Sequence, residues 1–247
     1  MMRTLKFFLM IVGIIGIAMA FQSCLDDDDN DWELRYPNAL VTVKSDGGDS
    51  FFLQLDDNTT LLPTNVTSSP FGDKEVRALV NFSEVDKPSG EYDKAVYINW
   101  IDSILTKQIA PDLGSDNDDV YGTDPVEIVN DWVTIAEDGY LTLRFRTIYG
   151  NSGKPHYVNL LASTDPDTPY EVEFRHNAYG DIYGSEADGL VAFNLGSLPD
   201  TEGETVKLKL KWKSFSGEKS TEFDYCTRKA TPGKSAVATE RSVINMK

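Results

Sequence analysis

Residues Val206-Lys207-Leu208-Lys209-Leu210-Lys211-Trp212-Lys213 alternate without a fault, four apolar side chains at one parity and four lysines at the other. Successive side chains of a strand point to opposite faces, whereas an amphipathic helix repeats its apolar positions every three or four residues. The octet therefore specifies a strand with one dry and one wet face, and excludes a helix. The same period runs through Leu141, Leu143 and Phe145, set between Thr142, Arg144 and Arg146. It recurs in Val172 and Phe174, set between Glu171, Glu173 and Arg175. Sheets of this kind build antiparallel sandwiches and barrels. Four lysines in a row would repel a similar neighbour, so the octet is expected beside the acidic strand of Glu171 and Glu173.

Segments of this type fall into two groups. The first group predicts strands at Leu40–Lys44, Phe51–Leu55, Thr60–Leu62, Val76–Phe82 and Ala95–Ile101, with turns at Asp46-Gly47-Gly48-Asp49 and Asp56-Asp57-Asn58. Five short strands in roughly 70 residues suit a small barrel of the OB type. Asp102–Ile109 reads as one or two helical turns with Asp102 as N-cap. A stretch of breakers and acids from Ala110 to Asp119 then marks a linker; its Asp-rich spacing lacks the closing Glu of a calcium loop. The second group predicts strands at Val126–Val129, Trp132–Ala136, Tyr140–Tyr149, Tyr157–Ala162, Tyr170–His176, Gly189–Leu195, Val206–Phe215 and Thr221–Tyr225, with a hairpin at Glu137-Asp138-Gly139. The expected fold is all-β: an N-terminal OB-like β-barrel over 38–109, a linker over 110–123, and a C-terminal immunoglobulin-like β-sandwich over 124–226. Residues 227–247 lose the alternation and read as a disordered tail, in which Arg228 to Lys247 carry five basic residues against one acid, Glu240.

The N-terminus carries Arg3 and Lys6, an apolar stretch from Phe7 to Phe21, and Cys24 followed by Leu25 and the run Asp26 to Asp29. A basic end, a short apolar run and a cysteine at the processing position predict a lipoprotein signal peptide over 1–23 and lipid attachment at Cys24. The apolar run falls short of the ~20 residues of a membrane span. More than one acyl chain on a cysteine holds a protein to a membrane durably, so the membrane is expected as a partner through the lipid alone. Residues 24–37 read as an acidic tether, since adjacent like charges resist packing. Loss of Arg3 and Lys6 with the leader lowers 23 basic residues to 21 against 40 acidic ones, a net charge of −19. That balance excludes nucleic acid as a partner, because such affinity comes from cations displacing counterions at phosphates. Cys226 has no intrachain partner once Cys24 is lipidated, and is expected as a quiet strand-end thiol.

The aspartates directly after the cysteine resemble the export tag that sends lipoproteins of Bacteroides-type bacteria to the outer face of the outer membrane. The chain as a whole resembles the NigD-like lipoproteins of those bacteria. The residues that carry the resemblance are Cys24-Leu25 with its aspartates, then Ser50-Phe51-Phe52-Leu53-Gln54-Leu55-Asp56-Asp57-Asn58-Thr59-Thr60-Leu61, Asn99-Trp100-Ile101 and Ile104-Leu105-Thr106-Lys107. Asp124-Pro125-Val126, Lys154-Pro155-His156 and Phe174-Arg175-His176-Asn177-Ala178-Tyr179-Gly180-Asp181 continue it up to about Tyr225. The resemblance implies an OB-like domain followed by a β-sandwich in a cell-envelope lipoprotein. The family is known chiefly from a gene neighbourhood tied to bacteriocin production, with no established catalytic residues. Asp102-Ser103-Ile104 resembles the Asp-Ser/Thr-aliphatic sites of O-glycosylation in Bacteroides envelope proteins, which makes Ser103 a candidate.

His156 and His176 are the two histidines, and neither has a His or Cys two to five residues away, so no metal site and no cofactor are expected. His176 with Asp181 could orient a base, yet no serine or cysteine sits in a nucleophile elbow, and no catalytic residue is assigned. Arg175, His176, Asn177, Tyr179 and Asp181 form the candidate ligand-contact loop. In the plainer reading Asn177 and Gly180 satisfy a tight turn, Tyr179 packs and His176 bonds to backbone. Tyr92, Tyr97, Trp100, Tyr149 and Tyr179 are candidate sugar-binding rings. The expected role is that of a non-enzymatic, surface-facing interaction module for an envelope protein or a glycan, the alternative being a carbohydrate-binding accessory of a polysaccharide-uptake system.

Overall fold

The computed structural model describes residues 33–45, 50–150 and 152–228. Cys24, the leader, most of the acidic segment, the Asp46–Asp49 turn and the tail beyond Arg228 lie outside the described residues. From Pro37 onward the chain is one structural unit.

Strands β1 (Ala39–Ser45), β2 (Phe51–Gln54), β3 (Thr60–Pro63), β4 (Val76–Glu84) and β5 (Lys94–Ser103) close into a barrel in the order β1-β2-β3-β5-β4. All neighbours are antiparallel except β3 with β5. Val41 and Val43 from β1, Leu53 from β2, Leu61 from β3 and Val80 from β4 fill the interior at every second position. The barrel is the OB domain expected from the short strands and their turns.

Among the described residues, nine further strands form two sheets. One holds β10 (Tyr157–Ala162), β11 (Glu171–Asn177), β13 (Val206–Ser214) and β14 (Gly217–Tyr225), in that order. The other runs β6 (Leu105–Gln108), β12 (Ser185–Asn194), β9 (Tyr140–Tyr149), β7 (Glu127–Val129), and β8 (Ile135–Glu137) also pairs with β9. Their inner faces meet in a core of Leu141, Leu143, Phe145, Leu160, Phe174, Phe193, Leu208 and Leu210. Gly189 lies against the Phe145 ring; a Cβ there would come within 2.5 Å of it, so the absent side chain makes room for the ring. The lysine strand lies where its charge requires: β11 runs parallel beside it, Glu171 opposite Lys209 and Glu173 opposite Lys211. The Glu171 carboxylate meets Lys211 at 2.7 Å and Lys209 at 3.0 Å. Asp138 and Gly139, both at positive φ, turn the β8–β9 hairpin as expected.

Two elements differ from the sequence reading. Most of residues 102–109 is strand, not helical turns: β5 runs on to Ser103, and β6 adds in parallel to β12. Ile104, between them, is buried with Leu40, Val133, Tyr140 and Ala192, and Leu105 packs on the sandwich core. An open sheet edge and two apolar anchors outweigh a weak local helix preference, and Asp102 pairs with Leu79 instead of capping. Trp132 lies in no strand. Asp131 folds the chain into a turn, accepting the Val133 and Thr134 N–H groups through its carboxylate and carbonyl, and leaves Trp132 exposed. The segment 110–123 holds a 3₁₀ turn (Gly114–Asp116) and a short helix α1 (Asn117–Tyr121), whose Tyr121 is buried.

Barrel and sandwich share an interface. The outward parity of β1 (Leu40, Thr42 and Lys44) is buried, because β8 and β9 cover it. Arg77, fully buried on β4, donates to Glu137 at 2.6 Å, to the Thr42 hydroxyl at 3.0 Å and to Thr142 at 3.4 Å. Lys44 meets Asp138 at 2.7 Å, and Arg228 meets Glu75 at 2.6 Å beside the Tyr140 ring.

Candidate functional site

The end of β11 carries the site. Antiparallel pairing sets Val158 opposite His176 and Tyr157 opposite Asn177, which brings the Lys154-Pro155-His156 segment alongside the 175–181 loop. Alternation on β11 sends His176 inward and Arg175 outward. The chain then reverses through Ala178-Tyr179-Gly180-Asp181, closed by the Asp181 N–H on the Ala178 carbonyl at 2.9 Å. Tyr179 (φ +50°) and Gly180 (φ +78°) both take the left-handed conformation that this tight turn needs. Asn177 stabilises it by accepting the Tyr179 N–H at 2.9 Å, as the plain turn reading anticipated. Asp124 accepts the Ala178 N–H at 2.7 Å, and Lys154 donates to the Tyr179 carbonyl at 2.9 Å.

Behind the turn is a buried chain of three ionisable groups. His176 Nε2 lies 2.9 Å from His156 Nδ1, and His156 Nε2 lies 3.2 Å from Asp181 Oδ2. Both histidines are at most 2% exposed. A carboxylate only accepts, so His156 carries its proton on Nε2 and donates to Asp181. The contact between the two rings pairs one N–H with one lone pair, so one histidine donates to the other. His176 Nδ1 is buried and makes no side-chain hydrogen bond among the described residues. Burial, reinforced by the nearby His156, pushes the His176 imidazole down to about 4 against an opposing pull from Asp124. Asp181 is also lowered: its own burial acts upward, but bonds from Ser152, the Gly150 N–H and His156 outweigh it. One sequence reading set His176 directly with Asp181. The structure puts His156 between them.

Two depressions flank the loop. Arg175 and His176 line a groove of about 680 Å³ on the outer face of β11, β13 and β14. Its cations are largely spent within the protein: Arg175 on Asp118 and Glu173, Lys209 and Lys211 on Glu171, Lys219 on Glu127. The second is a cleft of about 530 Å³ between α1, β10 and the turn, walled by Tyr121, Pro155, Tyr157 and Tyr179, with Lys107 and Lys154 as its charged groups. The Tyr157 and Tyr179 rings meet edge to face, centroids 5.4 Å apart at 73°. Tyr121 is fixed by its hydroxyl on the Pro111 carbonyl at 2.7 Å.

Of the five loop residues, the structure splits the roles. Tyr179 faces the cleft, Arg175 faces the groove, and His176 and Asp181 are interior. Of the five rings singled out as sugar candidates, Tyr179 alone lines the cleft. Tyr92 packs on Phe52 and Tyr97 is exposed on the barrel, while Tyr149 meets His156 edge-on. Tyr121 and Tyr157 take their place, and no local pattern marks either one. Ser103 is exposed at the end of β5. Cys226 is a half-buried free thiol next to β14.

The model of the NigD-like N-terminal OB domain matches residues 40–104, and that of the NigD-like C-terminal beta sandwich domain matches residues 108–225. Among solved structures, the chain is similar to a protein of Parabacteroides distasonis ATCC 8503 described as toxin-related. The two are 39% identical over 76% of this chain and 92% of that one, with a TM-score of 0.65. A NigD-like immunity protein of Bacteroides caccae ATCC 43185 shares the fold at 21% identity, covering 76% of this chain and 96% of its own, with a TM-score of 0.55. So does a protein of Bacteroides fragilis NCTC 9343 described as a lipoprotein, at 15% identity, 77% and 98% coverage and a TM-score of 0.53. Comparison with curated proteins gives no match. With both of its domains matched in order and a relative at this level of identity along most of its length, the chain belongs to the NigD-like family.

Proposed function

We propose that the protein is a lipid-anchored interaction module of the cell envelope, displayed on the outer membrane and recognising its partner with the sandwich end that carries Tyr179. The observation that carries this reading is the division of labour in the 175–181 loop. Its titratable groups His176 and Asp181 are buried and bonded in series through His156, whereas its Tyr179 ring is half exposed at the rim of a preformed cleft. Acid–base chemistry needs a group that reaches its substrate. These groups instead hold a recognition surface in shape, as rigid scaffolds do for binding loops. Anchorage is supported by the leader, by Cys24 with its aspartates, and by the similarity to a protein described as a lipoprotein. A carbohydrate-binding accessory is the second reading, favoured by the aromatic walls of the cleft.

Affinity capture of the full chain from detergent-solubilised native membranes tests the first reading. The expected result is a stoichiometric partner retained by the wild type and lost in Tyr179→Ala, with Cys24→Ser moving the protein from the membrane to the soluble fraction. Partner retention in Tyr179→Ala would overturn the assigned face, and membrane retention of Cys24→Ser would overturn the anchor.

A further inference from the structure

We propose that the cleft between α1, β10 and the Tyr179 turn binds an acidic sugar, a hexuronate unit of a glycan. The inference rests on the reading of this sandwich end as the recognition surface, and adds the chemistry of what is recognised.

Charge is the first argument. The protein holds 40 Asp and Glu against 23 Lys and Arg, and its net charge of −17 repels anions at long range. The residues lining the cleft nevertheless include two lysines, Lys107 and Lys154, and no carboxylate. The lining of the neighbouring groove shows the contrast, since it mixes its lysines and arginine with Asp118, Asp124, Glu173 and Glu218. Lys107 is held in place by the Val158 carbonyl at 2.6 Å and Asn159 at 2.8 Å. Lys154 is held by the Tyr179 carbonyl at 2.9 Å, one acceptor for an ammonium with three N–H donors. A local surplus of positive charge in an acidic protein fits a ligand that carries a carboxylate.

The walls decide the rest of the ligand. Tyr157 and Tyr179 stand at 73° and form a corner, not a parallel slot. A flat base needs a ring parallel to it on at least one side with open space beyond, whereas a pyranose chair offers C–H groups in two directions and fits a corner. The aromatic faces take those C–H groups, while lysine ammonium groups and the Asn159 amide reach the hydroxyls and the carboxylate. An aliphatic ligand would take water from the same polar groups and return no hydrogen bond, which costs more than its contacts return. The volume of about 530 Å³ lies within the range of small-ligand sites. Tyr121 is tied to Pro111, and the turn is locked by Asn177, Asp124 and the histidine chain, so the site is shaped before the ligand arrives.

The test is calorimetric titration of the purified full chain in detergent with tetragalacturonate, neutral galactotetraose, an acidic hexapeptide and AMP. Tetragalacturonate is expected to bind at least about tenfold more tightly than the other three. Tyr179→Ala should weaken it by about tenfold or more, and Lys154→Met should erase its advantage over the neutral sugar. The advantage should also shrink in high salt. Equal affinity for the acidic and neutral sugars, tighter binding of the peptide or AMP, or indifference to both substitutions would overturn the proposal. Failure here with Tyr179-dependent partner capture intact removes the sugar and leaves the interaction module. Sugar binding by a chain that shows no membrane attachment removes the anchor and leaves the cleft.

Discussion

His176 combines an interior position with a titratable ring, and its chemistry makes the fold sensitive to acid. Its folded value of about 4 lies below the ordinary 6.5, so between those values the unfolded chain binds a proton that the native chain refuses. Stability is therefore fullest above pH 6.5 and falls as the pH drops through that interval, by about 3 kcal/mol at its limit. Asp181, also lowered, continues the loss at still lower pH. Urea unfolding at pH 7.0, 6.0 and 5.0 checks this. His176→Gln keeps a hydrogen-bonding group for His156 but cannot titrate, so its stability should vary much less over the same range. A wild-type profile as flat as that of the variant would show that burying the His176 ring carries no penalty. The pair was not legible in the sequence, where a ligand search looks a few positions away. Its partners are twenty residues apart and meet only through the β10–β11 register. The turn was legible, because Asn177 and Gly180 have chemical reasons to stand where they do.

Among the elements, legibility followed whether local pattern and tertiary demand agree. The lysine strand and its acidic neighbour were readable because alternation and charge both point one way. The segment 102–109 was not, because its strand pairing depends on the open edge of β12, which lies more than eighty residues further along the chain. Arg77 shows the same limit inside a correctly placed strand. Alternation along β4 puts it on the face opposite Ala78, which a single domain would leave wet, yet the sandwich covers that face completely. Burial raises Glu137 while Arg77 opposes the shift, so the two charges depend on each other. Removing one strands the other: Arg77→Ala should cost about 3–5 kcal/mol in urea unfolding. Arg77→Met combined with Glu137→Leu should recover most of that loss, because a well-packed apolar pair needs no counter-charge. Equal losses in the single and double variants would mean that packing, not the unpaired charge, sets the cost.

At the scale of the molecule, the barrel and the sandwich share a third apolar cluster around Leu40, Ile104, Val133, Tyr140 and Ala192, as well as the buried Arg77 and Lys44 pairs. Two domains joined through such an interface should melt together. Scanning calorimetry of the full chain is expected to show one peak whose van't Hoff and calorimetric enthalpies agree; two resolved peaks would separate the domains energetically. The passage from β5 into β6 has a mechanical consequence as well. The chain enters β6 at its N-terminal end from the barrel and leaves β12 at its C-terminal end toward β13, and the two strands run parallel. A pull between Leu105 and Asn194, the two ends of this ladder, would load it along its length, so its hydrogen bonds resist in concert and do not peel open one by one. The joint between the domains is thus a shear clamp for tension directed along β6 and β12.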